Sequence, residues 1–311
     1  MADKPLNPPV EIAADHAQAV LHEWLGEKVH VTALTPLIGG CCNTVVEIRF
    51  EHPRSPVVIK ARHQPADHLR REHATLDFFQ NNTAFPLPRP YRVDISCDAV
   101  PFSYLLMQRL PGVNLGDASR WMTPRDHLRI ERQIAEAVSH LHTHTGPHFG
   151  SIHETGGSAE WADHFRAGLQ EEHDENSRLG LVSPHSLERV AELLEYFDDI
   201  FDAPGKPTLV HGDIWATNII VGGQPGCASL SGFVDGGGSY RHAESELAYL
   251  EIWQTVGTEF FEIYHRAHPP LEGYPDRKLI YWLDTLLLHV RCFKTRNYIS
   301  AAEQIIERLP L

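Results

Sequence analysis

The feature that most constrains this 311-residue chain is a polar loop enclosed by short apolar runs. The runs cover residues 208–210, 219–221 and 230–234, and the loop follows the first of them. Short runs of apolar and β-branched residues bounded by Gly, Asn and Asp are typical of buried strands joined by turns. The loop carries Asp213 and, five residues later, Asn218. We therefore predict a small β segment that holds one carboxylate and one amide at fixed positions.

The sequence around this segment changes character near residues 109–113, where Pro111 and Gly112 interrupt an apolar run. Before this point short β-rich runs dominate, whereas after it most apolar residues recur with the period of a helix. This shift predicts an α+β fold with two lobes, a small antiparallel-sheet lobe over residues 1–110 and a larger, mainly helical lobe over 111–311. The expected elements are helices at 11–25, 66–80, 124–143, 159–180, 184–202 and 278–290, and strands at 45–50, 57–61 and 104–108.

Composition narrows the possible partners. The chain holds 27 Lys and Arg against 41 Asp and Glu, a formal net charge of −14, which argues against non-specific nucleic-acid binding. No apolar run reaches the length of a membrane span, and no signal peptide is evident. The five cysteines, of which only Cys41 and Cys42 are close in sequence, do not suggest a disulfide scaffold or a zinc ribbon. We expect a reduced, cytoplasmic protein with a small-molecule partner, no nucleic-acid or membrane partner, and an oligomeric state that the sequence leaves open.

The spacing of Asp213 and Asn218 is that of a kinase catalytic loop, in which the aspartate accepts the proton of the attacking hydroxyl and the asparagine binds a metal ion. The third apolar run ends in Asp235 and Gly236, where a second metal-binding carboxylate would stand. A divalent ion such as Mg²⁺ needs hard oxygen ligands. The alternative is a His-Gly-Asp turn that merely ends a strand. The order of the two motifs favours Asp213 as the catalytic base and Asn218 and Asp235 as metal ligands.

The N-terminal part offers residues for the nucleotide. Lys60 ends an apolar strand, like the lysine that holds the α- and β-phosphates of ATP, although a lysine at a strand end is more often only solvated. Twelve residues later, Glu72 lies in a predicted helix, from which it could pair with Lys60 and orient it. Gly39 and Gly40 precede a strand and predict a turn that lets the backbone approach phosphate closely.

A hinge is predicted between the two lobes. Residues 107–110, with Gln108 and Leu110 among them, would hydrogen-bond adenine through their backbone groups, and the alternative is a strand that simply ends at Pro111. Each of these features is ambiguous alone. Their order along the chain, from glycine turn through strand lysine, helix glutamate and Asp-x4-Asn loop to Asp-Gly, makes chance agreement improbable.

The segment HGDIWATN at 211–218 resembles the catalytic loop of the fructosamine/ketosamine kinase family, in which a tryptophan follows the catalytic aspartate. That family belongs to the protein-kinase-like small-molecule phosphotransferases, together with the aminoglycoside phosphotransferases. The residues after the loop are similar to the family's D-P-x-x-Y-Y-G-x-R-E-x-D-L-A segment, and residues 40–43 resemble its G-C-I-N turn. The matching residues after the loop are Asp235, Tyr240, Glu244, Glu246, Leu247 and Ala248.

The resemblance implies a bilobal protein-kinase-like fold that binds ATP and Mg²⁺ between its lobes. It implies an ATP-dependent phosphotransferase whose acceptor is a hydroxyl of an amine-bearing molecule, foremost a fructosamine or other ketosamine. Trp215, beside the predicted base, is expected to line the acceptor pocket, and Glu244 to face the amine unless it belongs to a solvated acidic helix face. The chain departs from the family at Gly236, Arg241 and Ala243. An amino alcohol or aminoglycoside-like acceptor is therefore an alternative, and a non-catalytic ATP-binding pseudokinase is an alternative of another class.

Overall fold

The computed structural model describes residues 8–37, 43–63, 66–201 and 205–311, without the side chain at position 199. The predicted turn residues Gly39 and Gly40 lie outside the described residues, and their role stays a prediction. The chain forms two compact units, each built from two separate stretches. Unit 1 comprises Met1–His127 and Ala216–Gly237, and unit 2 comprises Leu128–Trp215 and Gly238–Leu311.

The longer strands lie early in the chain, and the longer helices lie mostly after residue 120. The strands are β1 (Val31–Pro36), β2 (Thr44–Phe50), β3 (Val57–Arg62), β4 (Pro90–Asp94), β5 (Ser103–Gln108), β6 (Val113–Asn114), β7 (Gly150–Ser151), β8 (Thr208–Val210), β9 (Ile219–Gly222), β10 (Ser229–Phe233) and β11 (Ser239–Arg241). The helices are α1 (Ala14–Leu25), α2 (Asp67–Asn82), α3 (Leu115–Ala118), α4 (Pro124–Leu141), α5 (Trp161–Leu179), α6 (Pro184–Glu195), α7 (Phe197–Ile200), α8 (Ala243–Ile252), α9 (Thr258–Ala267), α10 (Tyr274–Phe293) and α11 (Arg296–Ile306).

The main sheet of unit 1 is antiparallel, with the strand order β1-β2-β3-β5-β4. Because successive side chains of a strand point to opposite faces, β3 contributes to two apolar clusters. Val57 and Ile59 pack in the cluster that contains residues of α1, whereas Val58 packs in the cluster that contains Leu69 of α2. Lys60, two residues after Val58, therefore shares the face that α2 covers.

Helix α2 carries a glutamate to that face. Leu69, Leu76 and Phe79 are buried at helical spacing, and Leu69 and Leu76 pack in the same cluster as Val58 of the sheet. Glu72 stands three residues after Leu69, and residues three or four apart lie on the same side of a helix. The packing of α2 thus places the Glu72 carboxylate beside the strand that bears Lys60.

Residues 216–237 complete unit 1 with a second sheet in the order β10-β9-β6. The carboxylate of Asp126 fixes the turn between β9 and β10, because it accepts hydrogen bonds from the backbone N–H groups of Gly226 (2.7 Å) and Ala228 (3.1 Å). Thr123 donates to the same carboxylate from its backbone N–H (3.0 Å) and its hydroxyl (2.7 Å). These bonds, with those of Thr123 foremost, hold the pKa of Asp126 well below its ordinary value.

Unit 2 is mainly helical, with one small sheet in the order β7-β11-β8. Its apolar core is contributed largely by α5, α6, α10 and α11. In α10, Ile280, Leu283, Leu287 and Val290 are buried at spacings of three and four residues, the pattern of one continuous helix face. No helix in the described part of the chain is apolar over a length that would cross a bilayer.

The prediction of an α+β fold with an antiparallel-sheet N-terminal part and a mainly helical C-terminal part is confirmed. The helices predicted at 11–25, 66–80, 124–143 and 159–180 are present to within three residues at each end. The helix predicted at 184–202 is wrong as a single element, because the chain leaves the helical conformation at Tyr196 and resumes in α7. The two-domain division at 110 and 111 stays a prediction; the compact units place residues 111–127 and 216–237 with the N-terminal residues.

Gly232 generates the first testable prediction. It lies at a register irregularity of β10 with φ +147°, and a Cβ there would stand 2.4 Å from the carbonyl oxygen of Pro86, which accepts the N–H of Phe233 at 2.8 Å. We expect Gly232→Ala to lower the free energy of unfolding by about 1–3 kcal/mol, through strain and the displaced contact. Chemical denaturation measures the change.

Gly237→Ala is the matched control, because a Cβ at Gly237 would meet no atom within 4 Å. We expect this variant to unfold like the wild type. Equal stability of the two variants would contradict the close approach of β10 to Pro86.

Candidate active site

Unit 1 contains a cavity of about 340 Å³ that is lined by most of the predicted nucleotide and metal residues. Apolar side chains, among them Val58, Met107 and Ile220, form part of its wall. Apolar surface with a few convergent polar groups is typical of small-molecule sites. Of the predicted residues, Lys60, Gln108, Leu110, Asn218 and Asp235 line this cavity.

The ammonium of Lys60 is the charged centre of this cavity. It is buried and forms ion pairs with the carboxylates of both Glu72 and Asp235. Burial on its own would lower the pKa of Lys60, but the two carboxylates outweigh it and raise the pKa above the ordinary value for lysine. Lys60 is therefore a permanent cation at neutral pH. The structure contains the ion pair between Lys60 and Glu72 that the sequence suggested.

Asp235 and Asn218 stand on neighbouring backbone. The N–H of Val234 donates to the carbonyl oxygen of Asn218 at 2.9 Å, and Asp235 follows directly with φ +64°, in the left-handed region. A non-glycine residue in that region is uncommon, and strained backbone of this kind is enriched at functional sites. The Asp235 side chain is 36% exposed, so the carboxylate that pairs with Lys60 also faces the cavity.

The two side chains suit a hard divalent cation. A carboxylate oxygen and an amide oxygen are ligands that Mg²⁺ accepts, usually with waters and substrate phosphates in the remaining positions. Within residues 8–37, 43–63, 66–201 and 205–311, no group of three or more His, Cys, Asp or Glu side chains could hold a metal ion. Asn218 and Asp235 would therefore need oxygen ligands from a phosphate to complete a metal shell.

The linker after β5 is fixed by an arginine. Arg109 pairs with Glu47 at 2.8 Å and donates to the carbonyl oxygen of Leu110. The backbone N–H of Gln108 donates to the carbonyl oxygen of Arg89 at 2.8 Å. Gln108 and Leu110 line the cavity, and adenine binding by backbone groups of this linker stays a prediction.

Asp213 lies in unit 2, in the loop that follows β8. The hydroxyl of Tyr249, on α8, donates to Oδ1 of Asp213 at 2.5 Å. Burial above all, and then the charge of Asp213, raise the pKa of Tyr249, so the phenol stays protonated and keeps donating. The backbone N–H of Asp213 donates to Nδ1 of His211 at 3.2 Å. Trp215 is half-buried two residues later.

A buried carboxylate fixes the backbone of this loop. Glu246 accepts hydrogen bonds from the backbone N–H groups of Gly212 (2.6 Å) and His211 (3.3 Å). Its Oε2 also lies 3.0 Å from Nε2 of His142, whose Nδ1 lies 2.6 Å from the hydroxyl of Tyr264. Burial on its own would raise the pKa of Glu246, but the hydrogen bonds and the nearby histidines outweigh it and lower the pKa.

A second cavity, of about 140 Å³, lies in unit 2 beside this loop and is lined by Gly212 and Tyr249. Glu244 and Trp215, the two predicted acceptor residues, are not among the described residues that line it. The buried carboxylate of Glu244 instead accepts two hydrogen bonds of 2.8 Å from Arg277. A contact between Glu244 and an acceptor would therefore require this ion pair to open.

Two residues that line the cavity of unit 2, Tyr249 and Asp284, were not predicted from the sequence. Tyr249 stands three residues after Glu246, so helical spacing alone places it on the side of α8 that faces the loop. Asp284 interrupts the apolar run 278–290 that predicted α10. A single acidic residue inside an apolar helix was the available signal, because buried carboxylates are rare without a role.

The Glu246 network generates the second prediction. We expect Glu246→Gln to lower the free energy of unfolding by about 1.5–3 kcal/mol at pH 7, because the buried N–H groups lose a charged acceptor. The pKa of Glu246 is depressed in the folded state, so its stabilisation is present at neutral pH and is lost as the pH falls through the acidic range. Denaturation of both proteins at several pH values measures the difference, which we expect to shrink below about pH 5.

Glu262→Gln on the exposed side of α9 is the control, and it should leave stability unchanged. A Glu246→Gln protein that differs from the wild type equally at pH 4 and pH 7 would contradict a charged Glu246 in this network.

The chain matches a protein family over nearly its whole length. The model of the family described as fructosamine kinase matches residues 13–311. A protein of Enterococcus faecium named as a probable ketoamine kinase is 27% identical over an alignment of 288 positions, gaps included, that covers 88% of this chain and 93% of that protein. A chloroplastic protein-ribulosamine 3-kinase of Oryza sativa subsp. japonica is 24% identical over an alignment of 316 positions, gaps included, that covers 96% of this chain and 85% of that protein.

Solved structures share the fold. A provisionally assigned fructosamine-3-kinase from Haemophilus somnus has a TM-score of 0.76 at 20% identity, over 95% of this chain and 97% of that one. A thermostable aminoglycoside phosphotransferase mutant, in a ternary complex with ADP and hygromycin B, has a TM-score of 0.64 at 17% identity, over 93% of this chain and 97% of that one. The predicted family and the predicted phosphotransferase activity class are thereby confirmed. The chain belongs to the fructosamine kinase family.

Proposed function

We propose that the protein transfers the γ-phosphoryl group of ATP to a hydroxyl of an amine-bearing small molecule, foremost a fructosamine or another ketosamine. The observation that carries the proposal is the buried Lys60, paired with both Glu72 and Asp235 in a cavity that Asn218 also lines. Kinases hold a nucleotide and its metal with such a set of residues. Relatives named as a ketoamine kinase and a ribulosamine kinase support the acceptor class.

On the nucleotide side, Lys60 would bind the α- and β-phosphates, and its permanent charge suits that role. Asn218 and Asp235 would hold Mg²⁺, which when bound neutralises charge on the triphosphate and on the transferring group. The apolar wall of the cavity, with Gln108 and Leu110, would receive the adenine ring. Gly39 and Gly40 stay predicted phosphate-binding residues.

On the acceptor side, Asp213 would align the attacking hydroxyl and accept its proton. Tyr249 holds Oδ1 of this carboxylate, and Glu246 holds the backbone next to it, so the base is oriented before the acceptor binds. Such prior orientation matters because phosphoryl transfer depends on positioning and on charge stabilisation more than on covalent chemistry. Trp215 and Glu244 stay predicted acceptor residues.

Two alternatives differ in the acceptor or in the class of function. An amino alcohol or an aminoglycoside-like molecule is the alternative acceptor, and it is favoured by the departures Gly236, Arg241 and Ala243 near the loop. A non-catalytic ATP-binding module is the alternative class. The chain retains the lysine, the candidate base and both metal ligands, and a degenerate kinase usually lacks one of them, so we favour the enzyme.

Two substitutions test the proposed roles. We expect Asp213→Asn to lower turnover by about 10²–10⁴-fold while the affinity for Mg²⁺-ATP stays within about twofold, because the base acts on the acceptor.

We expect Asp235→Asn to weaken Mg²⁺-ATP binding by at least about tenfold, because it removes a metal ligand. Titration calorimetry with a non-hydrolysable ATP analogue measures binding, and ADP release across ketosamines, amino alcohols and aminoglycosides measures turnover.

Asp98→Asn, in an exposed turn of unit 1, is the control for loss of one acidic charge. Wild-type turnover in both Asp213→Asn and Asp235→Asn would refute the assigned site. Binding of Mg²⁺-ATP by the wild type with no acceptor consumed across the panel would favour the non-catalytic module.

We also infer a small-molecule partner and a reducing, cytoplasmic environment. Cys97 and Cys227 are free thiols, which suits such a compartment. The net charge of −14 does not favour a nucleic-acid partner. The oligomeric state stays open.

A further inference from the structure

The cavity of unit 2 contains a carboxylate that the network around Asp213 does not use. Asp284 lies in the middle of α10 and lines the cavity, half-buried. No residue in the described ranges donates a hydrogen bond to its carboxylate or pairs with it within 4.0 Å. Removing a carboxylate from water without a partner is unfavourable, and buried polar groups normally have one. The carboxylate of Asp284 is therefore available to a ligand that enters the cavity.

The surroundings of Asp284 disfavour its charge when the cavity holds only water. Burial raises the pKa of Asp284 to about 7, against the opposing effect of Arg241 on β11. Glu172 on α5 raises this pKa further, and Arg291 on α10 lowers it. His164 also lines the cavity, and burial together with Arg241 lowers its pKa, so its imidazole is neutral near pH 7. A cation delivered next to Asp284 would therefore gain a partner that is poised to ionise.

The wall beside Asp284 is aromatic. Tyr281 stands three residues earlier on the same side of α10, and Trp161 and Phe165 line the cavity from α5. Nε1 of Trp161 donates to the hydroxyl of Tyr281 at 2.9 Å, and the rings of Phe165 and Tyr281 lie 5.0 Å apart between centroids. Aromatic faces attract cations and pack well against sugar or alkyl groups. The cavity thus combines one acidic group with a cation-tolerant wall.

We propose that Asp284 binds the protonated amine of the acceptor, and that the cavity of unit 2 is the subsite that selects cationic over neutral acceptors. This inference rests on the proposed function and names the group that determines its acceptor class. Tyr249 lines the same cavity and holds the candidate base Asp213, so an amine bound at Asp284 belongs to a molecule beside that base.

The other charged groups of the cavity do not serve this purpose. Both oxygens of Glu246 already have partners. Oε1 accepts from the backbone N–H of Gly212, and Oε2 accepts from the backbone N–H of His211 and lies within hydrogen-bond distance of His142. Arg241 is cationic and would repel an ammonium group. A divalent metal is also disfavoured, because the described residues provide no group of three acidic, His or Cys side chains that could hold one.

Selectivity between two matched acceptors tests the proposal. The probes are 1-deoxy-1-piperidinofructose, which is cationic at neutral pH, and its cyclohexyl isostere, in which CH replaces the nitrogen. We expect the wild type to bind the amine at least about tenfold more tightly than the isostere at pH 8, and Asp284→Asn to bring this ratio close to one. Asp284→Glu should retain part of the ratio. Titration calorimetry reports binding whether or not either probe is phosphorylated, and KM reports it if they are.

The pH dependence supplies a second readout. Because an ionised Asp284 is required, the affinity of the wild type for the piperidino compound should rise between about pH 6 and pH 8, whereas Asp284→Asn should show no such rise. The raised pKa also means that the charge destabilises the empty fold above the unfolded pKa. Asp284→Asn should therefore melt several degrees higher than the wild type at pH 8, and at the same temperature at pH 4.

Asp276→Asn, exposed in the first turn of the same helix, is the control for charge loss and should keep the wild-type ratio. An Asp284→Asn protein that binds both probes equally less tightly, or that keeps the wild-type ratio, would overturn the proposal. If the wild type phosphorylates neither the probes nor any ketosamine, amino alcohol or aminoglycoside of the panel but still prefers the amine through Asp284, the proposed function fails and this inference stands. If it phosphorylates both probes with equal KM, the proposed function stands and this inference fails.

Discussion

The pairing of a buried ammonium with two carboxylates is the constraint on which unit 1 depends. Lys60 cannot lose its water without compensation, and Glu72 and Asp235 provide it from α2 and from the residue after β10. The two ion pairs connect three distant stretches of the chain. They require Lys60 to lie on the face of β3 that α2 covers, Glu72 to lie on the side of α2 that faces β3, and residues 216–237 to bring Asp235 next to Lys60. Asp235 tolerates a left-handed backbone at this point, and the ion pair is one compensating interaction.

Unit 2 contains two carboxylates in contrasting states. Glu246 is surrounded by donors, two of them backbone N–H groups of the loop that carries Asp213, and its charge is stabilised in place. Asp284 is half-buried, no residue in the described part of the chain donates to it, and its charge is disfavoured. The first arrangement produces rigidity next to a candidate base. The second arrangement leaves the Asp284 carboxylate at the cavity wall able to bind a ligand. Natural proteins keep such groups at binding sites although they lower stability.

Local sequence patterns predicted the elements and the order of the site better than its contacts. Periodicity identified β3 and α2, and the two-residue alternation of β3 already implied that Lys60 shares a face with Val58. The spacing of Asp213 and Asn218, with Asp235 after the next strand, predicts that the three residues act as a set, and this stays a prediction. The ion pair of Glu244 with Arg277 was not predictable, because Arg277 lies 33 residues away in sequence and only tertiary packing brings the two side chains together. The strand β4 was hidden by its first residue, Pro90, which an edge strand tolerates.

The carboxylate of Asp126, which joins Thr123 to the turn at Gly226 and Ala228, has a consequence for biosynthesis. Unit 1 is interrupted in sequence by residues 128–215, so the ribosome must deliver that whole insertion before the turn that satisfies Asp126 is made. The nascent N-terminal sheet therefore lacks its candidate metal ligands until the first stretch of unit 2 has been synthesised. Unit 1 therefore closes only after residues 216–237 have been synthesised, and this order of events is imposed by the interleaved chain path.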